Sequence, residues 1–233
     1  PTTEVPICGH ATIAAHYVRA KERNMEGGTV VQKTKAGILP VEVVRPLSDY
    51  SITMTQGTPA VSAPFGDAVR ERIADALGIA HEEICREYPV AVASTGHSKV
   101  MVPLYSNELL HGLRPDLQKL TKISKQIECN GYYVFTLNPQ NKILVHGRMF
   151  APAIGIAEDP VTGNANGPLG AYLVHFNILQ EEDAPCFDFD ILQGEAIKRD
   201  GTMHVHVEKE HGAPKLVQIT GNAVIAFSTE IAI

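Results

Sequence analysis

Two short segments of the chain place groups that can exchange protons beside a glycine. The first is residues 8–10 (CGH) and the second is residues 159–164 (DPVTGN). A thiol, an imidazole and a carboxylate can each give up or accept a proton during a reaction. When one such group lies on each side of a bound acid, one removes a proton and the other returns it. These residue types therefore predict epimerisation or proton-shift isomerisation.

The two segments belong to an internal repeat. Residues 4–11 (EVPICGHA) and 158–165 (EDPVTGNA) share Glu, Pro, Gly and Ala at an offset of 154, and a helix-like run follows each copy. Further along, residues 51–57 (SITMTQG) and 216–221 (LVQITG) both read as a strand that ends in glycine. Matching segments in matching order predict two equivalent lobes, with residues 10–21 and 165–179 as their central helices.

A glycine at the start of each helix predicts an anion site. The first turn of a helix has unpaired N–H groups and the positive end of the helix dipole. Gly9 and Gly163 carry no side chain, so a ligand can approach this backbone closely. Either segment by itself also reads as an ordinary cap or surface turn. Because the two copies match, we expect both helix ends to hold one carboxylate between the lobes.

The rest of the chain predicts an α+β fold. The strand-like runs are residues 29–34, 38–44, 51–56, 90–95, 100–104, 131–137, 143–150, 187–192, 203–208, 216–220 and 223–227. The helix-like runs are residues 10–21, 67–77, 115–127 and 165–179. Strands and helices do not alternate in a βαβ rhythm, which favours mostly antiparallel pairing. We assign residues 1–59 with 222–233 to a first lobe and residues 60–221 to a second.

Composition and charge exclude several classes of partner. A formal net charge of −6 over 233 residues gives no basic patch for a nucleic acid. Apolar runs are too short to span a bilayer, so no membrane is expected. The four cysteines are scattered without metal spacing, which favours the cytoplasm and predicts no metal. His204 and His206 share a strand face, but without a third ligand they are interpreted as solvent-facing.

The two motifs resemble those of the PhzF-like isomerase family, part of the diaminopimelate epimerase-like superfamily. Residues 4–12 (EVPICGHAT) are similar to the family motif CGHAT, and residues 158–170 (EDPVTGNANGPLG) to EDPxTGSAxGPLG. The resemblance covers essentially the whole chain, including residues 95–97 and 148–152. It implies two pseudo-symmetric lobes, each a curled, mostly antiparallel sheet around a central helix. It also implies a cofactor-independent isomerase for a small carboxylate metabolite, commonly a homodimer.

The resemblance also assigns roles to individual residues. The positions that match catalytic residues are His10 and Asp159, and those that match the carboxylate site are Gly9, Gly163 and Asn164. Cys8 and Thr162 are further possible contributors. Thr162 replaces the second cysteine of the two-cysteine epimerases, so paired-thiol chemistry is not expected, and Asn164 replaces a common serine.

The beginning of the sequence lowers the expectation of activity. The chain starts at Pro1 without a methionine and within the first repeat. In the family, the main acid/base glutamate would lie upstream of Pro1, so we expect an incomplete first lobe and little or no turnover by this chain alone. Three functions stay open: a cofactor-independent isomerase, a non-catalytic binder of small acids, and an inactive fragment.

Overall fold

The computed structural model describes residues 7–35, 37–47, 49–179 and 184–230. Residues 4–6 of the first motif lie outside the described residues. Within them, the helices are α1 Gly9–Glu22, α2 Asp67–Leu77, α3 Asn107–Gly112, α4 Leu117–Ile127 and α5 Gly163–His175. The strands are β1 Gly28–Thr34, β2 Gly37–Val44, β3 Ser51–Thr55, β4 Ala60–Val61, β5 Ala91–Ser94, β6 Lys99–Pro103, β7 Tyr132–Leu137, β8 Ile143–Ala151, β9 Ile156–Asp159, β10 Cys186–Gln193, β11 Gly201–Glu210 and β12 Ala213–Gly221.

The strands form one large curled sheet, which confirms the α+β class. Their order is β1-β2-β3-β12-β11-β10-β8-β7-β6-β5-β4, and β9 pairs with β8. Most neighbours are antiparallel, while β6 with β7 and β8 with β10 are parallel. The sheet wraps around α5, which packs on β4, β5 and β6 as well as on β10, β11 and β12. This curl places the start of α5 inside the molecule.

Helix α5 is buried on all sides because its sequence is small and apolar. Residues 165–174 are all buried. A Cβ at Gly170 would lie 2.8 Å from the side chains of both Val205 and Val207, so only glycine lets the helix sit this close to β11. Within the described part of the chain, no helix is both long and apolar enough to cross a membrane.

Helix α1 packs on a smaller core but begins in the same way as α5. Tyr17 of α1 is buried with Tyr50 and other residues from the β2–β3 region. The residues that precede the two helices, Cys8 and Thr162, lie 154 positions apart. They have similar backbone angles, with φ −131° and ψ 109° at Cys8 and φ −127° and ψ 95° at Thr162. The two motifs therefore start their helices with the same local geometry.

The two halves of the sheet join at β3 and β12, the strands that the repeat matched. They pair antiparallel, with Met54 opposite Ile219 and Thr53 opposite Thr220. The hydroxyl groups of Thr53 and Thr220 are 2.7 Å apart. Two equivalent strands paired in opposite directions are what a twofold relation between lobes produces. The lobe boundaries assigned from the sequence remain a prediction.

The prediction of a strand at residues 223–227 is wrong. Residues 222–230 have no strand structure, although Ala223 packs against the core beneath α1. Strand β12 is already paired with β11 and β3, and β3 with β12 and β2, so this segment meets no free edge there. Val224 and Phe227 are accordingly 87% and 81% exposed.

Some elements are missing from the sequence prediction because they are short. Helix α3 has six residues and is capped by the preceding Ser106, whose hydroxyl accepts a hydrogen bond from the Leu109 N–H at 3.3 Å. Strands β4 and β9 have two and four residues. Segments of this length carry too few side chains to show a hydrophobic period.

Candidate active site

The two helix starts meet backbone to backbone. A Cβ placed on Gly9 would lie 3.4 Å from the Gly163 Cα and 3.6 Å from the Gly163 nitrogen. The first N–H groups of a helix have no partner within the helix, and the dipole makes this end positive. Where two such helix ends meet, unpaired N–H donors and positive potential are concentrated at one place. This combination favours the binding of a carboxylate.

A cavity of about 220 Å³ opens beside this contact. The seven residues predicted from the sequence all line it, and they are Cys8, Gly9, His10, Asp159, Thr162, Gly163 and Asn164. Gly9 is buried, whereas Cys8 and His10 are exposed. The structure thus brings together every residue that the two motifs predicted, while their catalytic and binding roles remain predictions.

The turn between β9 and α5 is held by Gln193, a residue outside both sequence motifs. Gln193 is fully buried. Its side-chain nitrogen donates to the Asp159 carbonyl at 2.7 Å, and its side-chain oxygen accepts from the Thr162 N–H at 3.1 Å. The Thr162 hydroxyl donates to Oδ2 of Asp159 at 2.5 Å. These bonds fix the carboxylate of Asp159 at the edge of the cavity.

Further buried polar side chains hold the start of α5. Asn166 donates through Nδ2 to the Thr162 carbonyl and to Oε1 of Gln193, both at 3.0 Å. The Tyr133 hydroxyl donates to Oδ1 of Asn166, and burial raises the pKa of Tyr133. Directly after β3, Gln56 donates to the Gly163 carbonyl at 3.1 Å. Sequence spacing gives no signal for this network, because Gln56, Tyr133 and Gln193 lie far from the second motif in the chain.

Asn164 connects the two motifs. Its Nδ2 donates to the Ile7 carbonyl, which sets the orientation of the amide because a carbonyl requires a donor. Its Oδ1 is then buried without a hydrogen-bond partner among the described residues. A buried acceptor without a partner is unfavourable, and a donor group on a ligand would satisfy it.

His97 and Lys99 also line the cavity. The sequence of residues 95–99 favours a turn, with a supporting role near the cleft as the alternative. Lys99 is only 1% exposed, and its Nζ donates to Nδ1 of His97 and to the Ser98 carbonyl. Burial lowers the pKa of Lys99 to about 8. Burial, and then the charge of Lys99, lowers the pKa of His97 to about 4, so His97 is neutral at pH 7.

The motif glutamate, Glu158, forms a salt bridge with Arg148. Arg148 donates to Glu158 through Nε at 2.9 Å and through Nη2 at 2.8 Å. Its Nη1 donates to the carbonyls of Leu110 and Leu113 at 3.0 and 3.2 Å. The salt bridge is almost fully buried, with 6% of the Arg148 side chain and 13% of the Glu158 side chain exposed. It ties β8, β9 and α3 together next to Asp159.

Among the described residues, two groups of possible metal ligands lie outside the cavity. Their members are His111, His146 and Glu195, and Cys186, Asp188 and His206. Both groups contain hydrogen bonds between imidazole and carboxylate, such as the 2.7 Å bond from His146 Nδ1 to Glu195. His204, interpreted as solvent-facing, is partly exposed and is hydrogen-bonded to Asp190 at 2.9 Å. The absence of a metal remains a prediction.

Fold and site define the class of the protein: an α+β protein of the diaminopimelate epimerase-like type, with its cleft between two helix N-termini. A family model described as phenazine biosynthesis-like protein, PhzC-PhzF, matches residues 1–229. The chain belongs to this family.

Individual relatives give the same assignment. An uncharacterised isomerase of Clostridium acetobutylicum is 51% identical over 99% of this chain and 76% of its own length. The isomerase YddE of Escherichia coli is 48% identical over the whole of this chain and 78% of its own length. A trans-2,3-dihydro-3-hydroxyanthranilate isomerase of Pseudomonas fluorescens is 28% identical over 96% of this chain and 74% of its own length.

A crystal structure shares the fold as well. The PhzF-family phenazine biosynthesis protein of Bacillus anthracis superposes with a TM-score of 0.84 at 29% identity, over 100% of this chain and 78% of that chain. Family, relatives and fold agree, and the protein is an enzyme of the isomerase class.

Proposed function

We propose that the protein is a cofactor-independent isomerase or epimerase that moves a proton within a small carboxylic acid. The contact between Gly9 and Gly163 carries this proposal, because it joins two helix N-termini at one cavity. A carboxylate bound there would meet N–H donors from both helices. His10 and Asp159 line the same cavity and supply the groups that can exchange protons.

The reaction needs one base and one acid. One of the pair His10 and Asp159 takes a proton from a carbon of the bound acid, and the electron pair of the broken C–H bond is delocalised toward the carboxylate. The N–H groups at Gly9 and Gly163 stabilise the negative charge that develops there. The other residue then donates a proton to carbon, which forms the new C–H bond. The product is an epimer or a positional isomer, depending on the carbon that receives the proton.

Two further features support this proposal. The fixed carboxylate of Asp159 does not need to reorient during the reaction, because Thr162 and Gln193 hold its surroundings. The relative from Pseudomonas fluorescens is named as an isomerase of trans-2,3-dihydro-3-hydroxyanthranilate. For this chain, the substrate is proposed only at the level of a small acid.

A proton-exchange experiment tests the proposal. The full-length protein is incubated in D2O with a set of small amino acids and unsaturated acids, and the loss of C–H signals is followed by proton NMR. We expect deuterium at one carbon of at least one acid. Asp159→Asn and His10→Gln should each lower the exchange rate by about 100-fold or more, the range typical of general acid–base groups.

His206→Gln is the matched control, because His206 lies on β11 and is absent from the cavity lining. It should keep the exchange rate within about 2-fold of the wild type. Exchange that survives both cavity substitutions would contradict the assigned roles. Saturable binding of an acid without any exchange would instead identify a non-catalytic binder.

A further inference from the structure

Lys99 introduces a buried positive charge at the cavity. It is the first residue of β6, is 1% exposed, and lines the same cavity as Gly9 and Gly163. Its Nζ donates to the Ser98 carbonyl at 3.1 Å and to Nδ1 of His97. Among the described residues, no carboxylate forms an ion pair with it. The carboxylate of Asp159 acts on Lys99 through its charge, but the two groups form no ion pair. A buried ammonium that no carboxylate contacts directly is costly, so its presence here points to an anionic ligand.

The Lys99 side chain packs over Gly131, which leaves room for it because glycine has no side chain. A Cβ at Gly131 would lie 2.6 Å from Cδ of Lys99 and 2.9 Å from its Cε. The aliphatic part of the lysine therefore occupies the space that a side chain at residue 131 would need. His97 receives the hydrogen bond from Nζ at Nδ1, so the neutral ring carries its own proton on Nε2. Together these contacts fix the direction of the ammonium group.

The cavity also has an apolar wall. Met149, Ile154 and Ile156 line it together with the polar residues. Its volume of about 220 Å³ limits the ligand to a small molecule. The lining thus offers a carboxylate site at the helix starts, an apolar wall for a short carbon chain, and a cation.

We propose that Lys99 binds a second anionic group of the substrate, so that the cleft prefers small diacids to monoacids of the same chain length. This inference rests on the proposed function, which places the first carboxylate at Gly9 and Gly163. His97 acts as a positioning residue, since it holds the ammonium through its ring nitrogen. The N–H groups at the helix starts and the ammonium of Lys99 would bind the two ends of one molecule.

The charge of the site depends on pH through a small set of groups. Burial lowers the pKa of Lys99 to about 8, so the ammonium form dominates at pH 7. The titratable groups that act on Lys99 are His97, Cys129 and Asp159. Two further titratable groups line the cavity, Cys8 directly before α1 and His10 within it. The pKa of Cys129 is raised by burial, so this thiol is uncharged at pH 7. The preference for diacids should therefore weaken as Lys99 loses its proton above pH 8.

Calorimetric titration with matched acids tests the inference. Succinate is compared with butyrate, and glutarate with valerate, because each pair differs only by the second carboxylate. At pH 7 the wild type should bind at least one diacid about 10-fold more tightly than its partner, as expected for one charge-assisted contact. Lys99→Met should remove this preference and leave the affinity for the monoacid within about 2-fold.

Two further variants complete the test. Gly131→Ala displaces the lysine without removing its charge, and it should also reduce the preference for the diacid. Lys122→Met removes an exposed lysine from α4 and should leave the preference unchanged. If Lys99→Met does not fold, the loss of the preference in the wild type between pH 7 and pH 10 provides the same information.

The outcomes separate this inference from the proposed function. If no diacid binds more tightly than its matched monoacid, or if Lys99→Met keeps the preference, the role of Lys99 is wrong. If Lys99→Met abolishes the binding of the monoacids as well as the preference for diacids, the single carboxylate is held by Lys99 and the carboxylate site at Gly9 and Gly163 is wrong. The proton-exchange experiment is independent of both results, because it measures His10 and Asp159.

Discussion

Lys99 places a charge in a strand whose other residues are apolar. Strand β6 reads KVMVP, and all five residues are buried. Burial lowers the pKa of Lys99 to about 8, which shows that the folded protein holds the ammonium less well than water does. A group kept in the cleft at the expense of stability is typical of functional sites.

We expect Lys99→Met to stabilise the ligand-free protein at pH 7. Methionine has a similar length and no charge, so the cost of burying the ammonium disappears. The free energy of unfolding should rise by about 1–3 kcal/mol, because each pKa unit corresponds to about 1.4 kcal/mol. Urea denaturation at pH 7 measures this change. Lys122→Met, at an exposed site, should change the free energy of unfolding by no more than about 0.5 kcal/mol.

The higher stability of Lys99→Met relative to the wild type should disappear at high pH. Below pH 8, Lys99 is protonated in the folded and the unfolded chain, and the folded chain bears the cost of the buried charge. As the pH rises from about 8 toward the ordinary value of 10.5, the folded chain loses the proton first, so wild-type stability rises relative to the variant. Denaturation curves at pH 7, 8, 9 and 10 follow the difference. A constant difference across this range would contradict the assigned burial of the charge.

At the scale of elements, the salt bridge between Arg148 and Glu158 sets the position of β9. Both side chains come from the strand pair β8–β9, and Arg148 also donates to carbonyls at the end of α3. Asp159 follows Glu158 directly in the chain. A shift of β9 would therefore move the carboxylate of Asp159 relative to the cavity.

We expect Arg148→Met to destabilise the protein by about 3–5 kcal/mol, because it leaves the buried carboxylate of Glu158 without its partner. Thermal and urea denaturation measure the loss. The double variant Arg148→Met/Glu158→Gln should lose less free energy of unfolding than the two single variants lose in total. The difference should be about 1 kcal/mol or more. If the two effects simply add, the two residues do not act as a pair.

At the scale of the whole molecule, the pairing of β3 with β12 joins the two halves. Ile219 of β12 is fully buried, lies opposite Met54 of β3, and belongs to the core around α5. Ile13 of α1 packs against both this core and the core beneath α1. Packing that crosses the junction should make the halves unfold together.

We expect Ile219→Ala to destabilise both halves by about 2–5 kcal/mol, the usual cost of this truncation in a core. Native-state hydrogen exchange can follow amides of β2 and of β7 separately. Protection should fall in both strands. Ile38→Ala is the matched control, since Ile38 is 70% exposed, and it should leave protection in both strands nearly unchanged. Loss of protection in β7 alone would show that the halves unfold independently.

The sequence by itself predicted the features that depend on neighbouring residues. Helix α2 was predicted with the same bounds as observed, because apolar residues at a four-residue spacing and a following Gly78 are local signals. The repeat predicted that α1 and α5 begin in equivalent ways, and glycine at each start predicted their anion-binding character. Seven residues that line the cavity could be predicted because both motifs are continuous in the chain, while their roles remain predictions.

Only the tertiary structure decided which distant residues complete the site. Gln193 and Gln56 hold the start of α5, and Lys99 supplies the buried charge, but their positions depend on how the sheet curls around α5. Residues 223–227 have the composition of a strand but form none, and both edges of β3 and of β12 are paired with other strands. Strand pairing and burial are set by contacts between residues far apart in the chain, whereas the pattern within a segment reports only its own preference.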